Sequence, residues 1–309
     1  MKNKELTITL ILGVLLPCLM LLLMSRSGPS SDIRPTEDQH RTGLRIRMAD
    51  GTVKEMSLEE YVLGVVLAEM PASFETEALK AQAVAARTYA LREKRHEDAD
   101  ICTDHTCCQA YCAPEQYTGT QEALQKVKGA VALTDGQVIT YNGELIEATY
   151  FSCSGGRTED AVAVWGQSVP YLKAVDSPGE EKATNYLKTV NMTAGEFSAA
   201  FGGLSGLPNT WVGKITYTEG GGVATVEIGG KVYKGIQVRQ LLGLRSTAFV
   251  ITVVGSSVAI TTKGSGHRVG MSQYGADAMA LDGKDYLTIL NHYYPSTQVV
   301  GIDNVFPLG

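Results

Sequence analysis

The chain has no cluster of basic residues, and with Lys+Arg 27 against Asp+Glu 33 its formal net charge is −6. A nucleic-acid partner needs a positive footprint for phosphate, so that class is excluded. Several catalytic plans are missing as well. There is no Ser-x-x-Lys, no Gly-x-Ser-x-Gly around Ser152 or Ser154, and His96-Glu97 is not followed by the second His of a zinc-protease helix. The loop Gly264-Ser-Gly-His-Arg-Val-Gly270 imitates a dinucleotide fingerprint, but its glycine spacing is wrong and it lacks the acidic partner for a ribose. It reads better as a conformational or glycan-contacting loop. No fixed-period repeat and no low-complexity tract occurs in the globular part.

Leu6 to Met24 is a run without a charge, flanked by Lys2, Lys4 and Arg26. It is long enough to cross a hydrocarbon layer and longer than the apolar core of a cleavable signal peptide. Residues 1–25 are therefore expected to be a single-pass anchor with the globular part outside the cytoplasm. Residues 26–42 are polar, carry two prolines, and read as a tether. From 43 to 309 helical and strand patterns are segregated rather than alternating, which predicts an α+β domain of packed helices and antiparallel hairpins. Helices are expected over Ser57–Glu69, from Ser73 to about Lys94, and over Ser272–Leu281 and Tyr286–His292. Short apolar runs at Val131–Leu133, Val138–Tyr141 and Ile146–Phe151 are expected as strands, with hairpins at Asp135-Gly136 and Asn142-Gly143. Lys214–Thr218, Val223–Ile228 and Lys231–Tyr233 read as a meander, and Phe249–Val254 and Val258–Thr262 as further strands.

Glu69 is the residue that composition does not explain. The helix at Ser57–Glu69 opens with a capping box of Ser57 and Glu60, and its apolar stripe runs through Val62, Val65 and Val66 to Glu69. Burial and the negative end of the helix dipole both oppose ionisation, which keeps a carboxyl protonated as a general acid requires. The alternative is a Glu that bends out to solvent at a fraying end.

His96, Cys102 and Cys108 are evenly spaced, with His105, Cys107 and Cys112 close by. Imidazole and thiolate together suit zinc, and three protein ligands would leave a position for water. The alternative outside a reducing compartment is a disulfide such as Cys107–Cys112. The run Tyr150-Phe-Ser-Cys-Ser-Gly-Gly-Arg-Thr158 leaves a strand and enters a small polar turn. Its backbone N–H groups could approach a polar ligand, or it could be a turn alone. Trp165 suits either a sugar face or a core.

Taken in order, several motifs are similar to those of the stage II sporulation protein D family. They are Glu59-Tyr-Val-Leu-Gly64, Ala68-Glu-Met-Pro71, Leu79-Lys-Ala-Gln-Ala-Val-Ala-Ala-Arg-Thr-Tyr89, Ser154-Gly-Gly156, Gly266-His267, Gly270-Met-Ser-Gln273 and Tyr293-Tyr-Pro295. The resemblance implies a lytic transglycosylase that cleaves peptidoglycan glycan strands between N-acetylmuramic acid and N-acetylglucosamine, leaving 1,6-anhydro ends. It places the catalytic carboxyl at Glu69. It assigns Arg87, the Ser154-Gly155-Gly156 turn and His267 to the glycan groove; Tyr150 and Ser152 of the run entering that turn, and Gln273 of Gly270-Met-Ser-Gln273, are further expected substrate contacts. It implies zinc on His96, Cys102 and Cys108, and leaves Cys107 and Cys112 without a ligand position. Phe151 stands where relatives often carry His, and Cys153 where they carry Thr or a similar residue. The implied setting is engulfment during sporulation. The enzyme would sit in the mother-cell membrane beside sporulation proteins M and P, facing the space between the membranes. A muramidase hydrolysing the same bond, or a non-catalytic amidase enhancer that binds peptidoglycan, are the other readings.

Overall fold

The computed structural model describes residues 43–92, 96–184 and 186–306. The expected span at Leu6–Met24 and its tether lie outside the described residues. Among the described residues, no helix is long and apolar enough to cross a membrane.

The chain begins with a hairpin, β1 (Leu44–Arg47) and β2 (Val53–Met56), followed by α1 (Leu58–Glu69) and α2 (Thr76–Arg92). Ser57 caps α1 by accepting from the amide of Glu60 at 3.2 Å, which is the expected half of the capping box. Helix α2 starts later than the pattern suggested. Its first amide region is capped by another segment, with Asp277 accepting from the Glu75 amide at 2.7 Å. Alanines make α2 thin enough to be surrounded, and thirteen of its residues are buried. A helix enclosed on every side fixes whatever packs on it.

A short strand β3 (Ile101–Cys102) pairs parallel with β1. Next come α3 (Gln121–Ala132), then β4 (Gln137–Tyr141) and β5 (Glu144–Leu145), joined by Asn142 and Gly143, both at positive φ as the hairpin signal required. The expected strand at Val131–Leu133 is not one. Those residues close α3, which Thr120 caps and whose Leu124, Val127, Ala130 and Val131 recur at helical spacing. Of Ile146–Phe151 only β6 (Tyr150–Phe151) is strand, and α4 (Ala161–Trp165) follows it.

Between Tyr186 and Gly264 the chain builds a second hydrophobic core. It comprises β7 (Leu187–Thr193), α5 (Ala194–Ala200), the meander β8 (Val212–Tyr217), β9 (Val223–Ile228) and β10 (Lys231–Lys234), α6 (Gly235–Leu241), and the hairpin β11 (Phe249–Val254) and β12 (Ser257–Lys263). The amide of Gly264 donates to the carbonyl of Tyr186 at 2.8 Å, so the chain leaves this unit where it entered. The chain then adds β13 (Met271–Ser272), α7 (Gln273–Leu281), α8 (Tyr286–Tyr293) and β14 (Gln298–Gly301). The class is α+β, with mostly antiparallel sheets. The exceptions are the parallel pairs β1–β3 and β6–β13.

Four buried charged side chains hold these parts in register. Arg87 is fully buried and forms a two-point ion pair with Glu59 of α1, at 2.7 and 2.5 Å. Arg268 pairs with buried Glu159 at 3.1 Å and donates to the carbonyls of Ser154 and Gly220, while Glu159 accepts from the Gly222 amide. The loop of the second unit is thereby clipped to the first. A Cβ on Gly222 would meet Glu159 at 2.3 Å, which explains the Gly220–Gly222 run beyond its role as a turn. Glu180, also buried, accepts from Ser154, Ser177, Ser272 and the Gly155 amide at 2.5–2.9 Å.

Glu59→Ala leaves the Arg87 guanidinium buried without its partner, and the expected cost is about 3 kcal/mol, at the lower end for a broken buried pair because Glu59 reaches solvent. Urea unfolding measures it, and a loss below about 1 kcal/mol would show that the pair does not hold α1 to α2.

Candidate active site

The C-terminus of α1 opens onto a cleft of about 640 Å³, walled by loop residues His105, Thr106, Cys108 and Gln109, by Glu147 to Ser152, by Ser265 to His267, and by Trp165. Glu69 stands in this cleft, half-buried, one turn beyond the fully buried Val65 and Val66. Neither extreme of the sequence reading holds, since the carboxyl is neither in the core nor free in solvent.

A glycine decides how it gets there. Gly64 lies inside α1, where glycine costs about 1 kcal/mol of helix propensity. A Cβ at that position would sit 2.1 Å from the ring of Tyr111. The bare helix lets the loop dock: Tyr111 stacks on Tyr61 and the Cys112 amide donates to the Gly64 carbonyl at 2.9 Å. That docking aims the Ala110 amide at Glu69 Oε1, at 2.8 Å.

Burial pushes the Glu69 carboxyl above its ordinary pKa. The Ala110 N–H, His105 and the Gln273 side chain pull the other way and do not win. Tyr150 also faces the cleft. Desolvation, then the charge of Glu69, drives its phenol well above the ordinary value, so it stays protonated. Its oxygen accepts from the Gln109 side-chain amide at 2.8 Å, so the phenolic proton is not spent on that bond. Gln109 Oε1 and Gln82 Nε2 are buried without partners beside this network.

His267 lines the cleft but is not an acid or base for it. Its Nδ1 accepts from the Val269 amide and its Nε2 faces the Tyr150 carbonyl, both at 3.1 Å, which assigns the proton to Nε2. Burial lowers its pKa to about 4, so the ring is neutral at physiological pH. It offers the cleft an aromatic surface between Phe151 and Trp165, with each ring centroid 5.5 Å away.

The residues expected to bind glycan thus separate into two groups. Tyr150, Ser152 and His267 line the cleft, and Gln273 reaches Glu69 because β13 pairs with β6. Arg87 does not line the cleft; its guanidinium is spent on Glu59. Ser154, Gly155 and Gly156 do not line it either. The Ser154 hydroxyl and the Gly155 amide are bound to Glu180, so the turn supports the site from behind. Sequence reading missed Glu147, Gln109 and Tyr89, which do line the cleft. Gln109 follows directly on the Cys107-Cys108 pair, and that adjacency was the available signal.

His96, Cys102 and Cys108 do converge, and Cys107 joins them. The His96 Nε2 lies 3.4 Å from the Cys108 sulfur and 3.8 Å from that of Cys107, and the two sulfurs are 3.7 Å apart. Ligand atoms on a tetrahedral zinc, with bonds of about 2.0–2.3 Å, stand about 3.5–3.8 Å from one another, so the donor set fits. Cys107 thus stands beside the three expected donors, so four ligand atoms lie within 4.8 Å of one another. No disulfide joins the described cysteines, Cys107–Cys112 included.

The family model described as Stage II sporulation protein matches residues 48–141, from the turn after β1 to the end of β4. The chain is 43% identical over 270 residues to Stage II sporulation protein D of Bacillus subtilis (strain 168), covering 83% of this chain and 78% of that protein. The corresponding protein of Bacillus amyloliquefaciens is also 43% identical over 270 residues, covering 84% and 78%. An Amidase enhancer of Bacillus subtilis (strain 168) is 30% identical over an alignment of 289 residues, covering 76% of this chain and 39% of that protein. With 43% identity covering 83% of this chain and 78% of the relative, the chain belongs to the stage II sporulation protein D family.

Proposed function

We propose that the cleft degrades cell wall as a lytic transglycosylase on peptidoglycan glycan strands, with Glu69 as the single acid and base. The observation that carries this reading is a desolvated carboxyl, raised in pKa, at the end of a buried helix and open to a cleft with aromatic walls. The protonated Glu69 gives its proton to the glycosidic oxygen as the C1–O4 bond breaks. The resulting carboxylate then takes the proton of the muramic C6 hydroxyl as that oxygen closes on C1. No water enters, and proximity replaces an activated nucleophile. Tyr150 and the Ala110 amide serve by orienting: one donates toward the sugar, the other fixes the carboxylate oxygen.

A muramidase is the second reading, favoured by Glu147. A two-carboxylate mechanism needs a second acid across the bond, and Glu147 lines the same cleft. The kinship with an amidase enhancer supports a third, in which the cleft holds glycan without cutting it. Product mass separates all three, since an anhydro end is one water lighter than a reducing end and a binder yields no product.

Zinc on His96, Cys102, Cys107 and Cys108 would be structural, since four protein donors close the shell. It would supply cross-linking to a loop with little apolar core, and through that loop it would hold Gln109 and the Ala110 amide at Glu69. The wider setting proposed is a protein anchored by residues 1–25, working from the mother-cell membrane during engulfment on strands stripped of peptides, alongside sporulation proteins M and P.

Glu69→Gln is expected to lower glycan cleavage by about 10²–10⁴ while preserving the fold, as a lost general acid does. A variant that keeps more than about half of the wild-type rate would falsify the assignment. Wild-type kcat/KM should fall as pH rises through the raised pKa, because the first step needs the protonated form. The same pKa has a stability consequence. A carboxyl whose folded pKa is raised favours folding while protonated and loses that contribution as pH rises past it, so Glu69→Gln should melt higher than wild type at neutral pH but not in acid.

Metal analysis of protein purified without chelator should find about one zinc per chain. Cys107→Ser should then lower zinc content and Tm together, as Cys102→Ser and Cys108→Ser do. Full zinc retention in Cys107→Ser would return the site to three ligands. For the anchor, the native protein should resist extraction by carbonate and keep its N-terminus, whereas recovery of a soluble form beginning near Ser27 would replace the anchor with a signal peptide.

A further inference from the structure

Across α4 from the cleft lies a second groove of about 560 Å³, walled by α4, the β8–β9 loop, β9 and the start of α6. Trp165 lines both spaces. Its indole is 42% exposed, an unusual degree for so large an aromatic side chain with no core to fill, and on the cleft side it leans on His267. One turn earlier, Val162 is 49% exposed and faces the second groove. A helix of five residues, closed by Gly166 in the left-handed conformation, thus presents an apolar ridge between two depressions.

The charges in the second groove narrow what fits there. Glu159 is paired with Arg268, Asp160 with Lys173, and Glu219 with Arg157. Each of its three carboxylates thus faces a cation of the protein, although Glu159 Oε2 is buried without a hydrogen-bond partner. Lys234 adds an exposed ammonium to the wall and Thr247 a hydroxyl, while the hydroxyls of Thr218 and Thr225 are bound to Glu159 and Thr216. An aromatic ridge, a neutral hydroxyl and one cation with no carboxylate partner among the described residues match a sugar chain bearing occasional carboxylates. A glycan strand without stem peptides has that chemistry, because each muramic lactyl group then ends in a free carboxylate.

We propose that the second groove is a distal part of the glycan site. A peptide-free strand leaves the Glu69 cleft, crosses the Trp165 indole and lies along α4 with a lactyl carboxylate at Lys234. This rests on the reading of the Glu69 cleft as the glycan-cleaving site. It makes the chain length and the bare lactyl groups of the strand part of what the protein recognises, through residues remote from the reacting bond.

The test uses Glu69→Gln protein, so that strands stay intact, and calorimetry with peptide-free peptidoglycan oligosaccharides of two lengths. A strand of about eight sugars should bind about tenfold tighter than a tetrasaccharide, a gain of about 1.4 kcal/mol. Adding Val162→Arg should abolish that gain while leaving tetrasaccharide affinity unchanged, with a melting curve to verify folding. Lys234→Glu should weaken the long peptidoglycan strand but not an N-acetylglucosamine oligomer of equal length, which lacks lactyl groups. Equal affinity for both lengths, or a gain that survives Val162→Arg, overturns the second groove while leaving the cleft intact. If protein with Glu69 cuts no glycan and neither length binds, the cleft reading fails and the groove with it.

Discussion

The site depends on a loop with almost no core of its own being held against a bare point on a helix. Residues 104–112 settle on α1 because Gly64 has no side chain there, and the ring of Tyr111 occupies the space. From that one contact follow the Ala110 hydrogen bond to Glu69, the position of Gln109 against Tyr150, and the cleft wall carried by His105 and Thr106. The four-donor cluster sits at the root of the same loop. A metal there would act on chemistry at a distance, by keeping the loop closed over the helix, which agrees with a filled coordination shell better than with an activated water.

Charge is used in this protein chiefly as fastening. Arg87, Arg268, Glu159 and Glu180 are all buried, and each ties segments that are remote in sequence. Such pairs contribute little net stability compared with apolar packing, but they permit only one arrangement. Glu180 is the clearest case. It gathers the Ser154 turn, the cap of α7 at Ser272 and, through Ser177, Tyr293 of α8. Helix α7 carries Gln273 to Glu69, so the Ser154-Gly-Gly156 motif serves the cleft by positioning rather than by contact.

Under the proposed function, the two grooves on either side of Trp165 divide the labour between chemistry and reach. Aromatic surfaces from Phe151, His267 and Trp165 line the space next to the acid, where a flat sugar face can stack. The second unit, a separate core entered and left at Tyr186 and Gly264, supplies the far wall of the other groove. Its attachment through Glu159 and Arg268 keeps that wall at a set distance from α4.

What the sequence determined by itself was local. Periodicity placed α1, α7 and α8 and most strands to within a residue or two, because period and capping are properties of short segments. It also singled out Glu69, since a carboxyl on an apolar stripe violates the pattern around it. It misread Val131–Leu133 as strand, because three apolar residues look alike at a helix end and in a strand. Tertiary structure alone decided the roles of the motif residues. Arg87 and Ser154 are polar side chains in recognisable motifs, and only the arrival of Glu59 and Glu180 turned them from candidate ligand contacts into internal fastenings. Cys107 joined the His96, Cys102 and Cys108 cluster, and Glu147 the cleft, for the same reason. Which side chains meet is set by long-range packing and by parallel pairings such as β6 with β13, and no spacing along the chain encodes them.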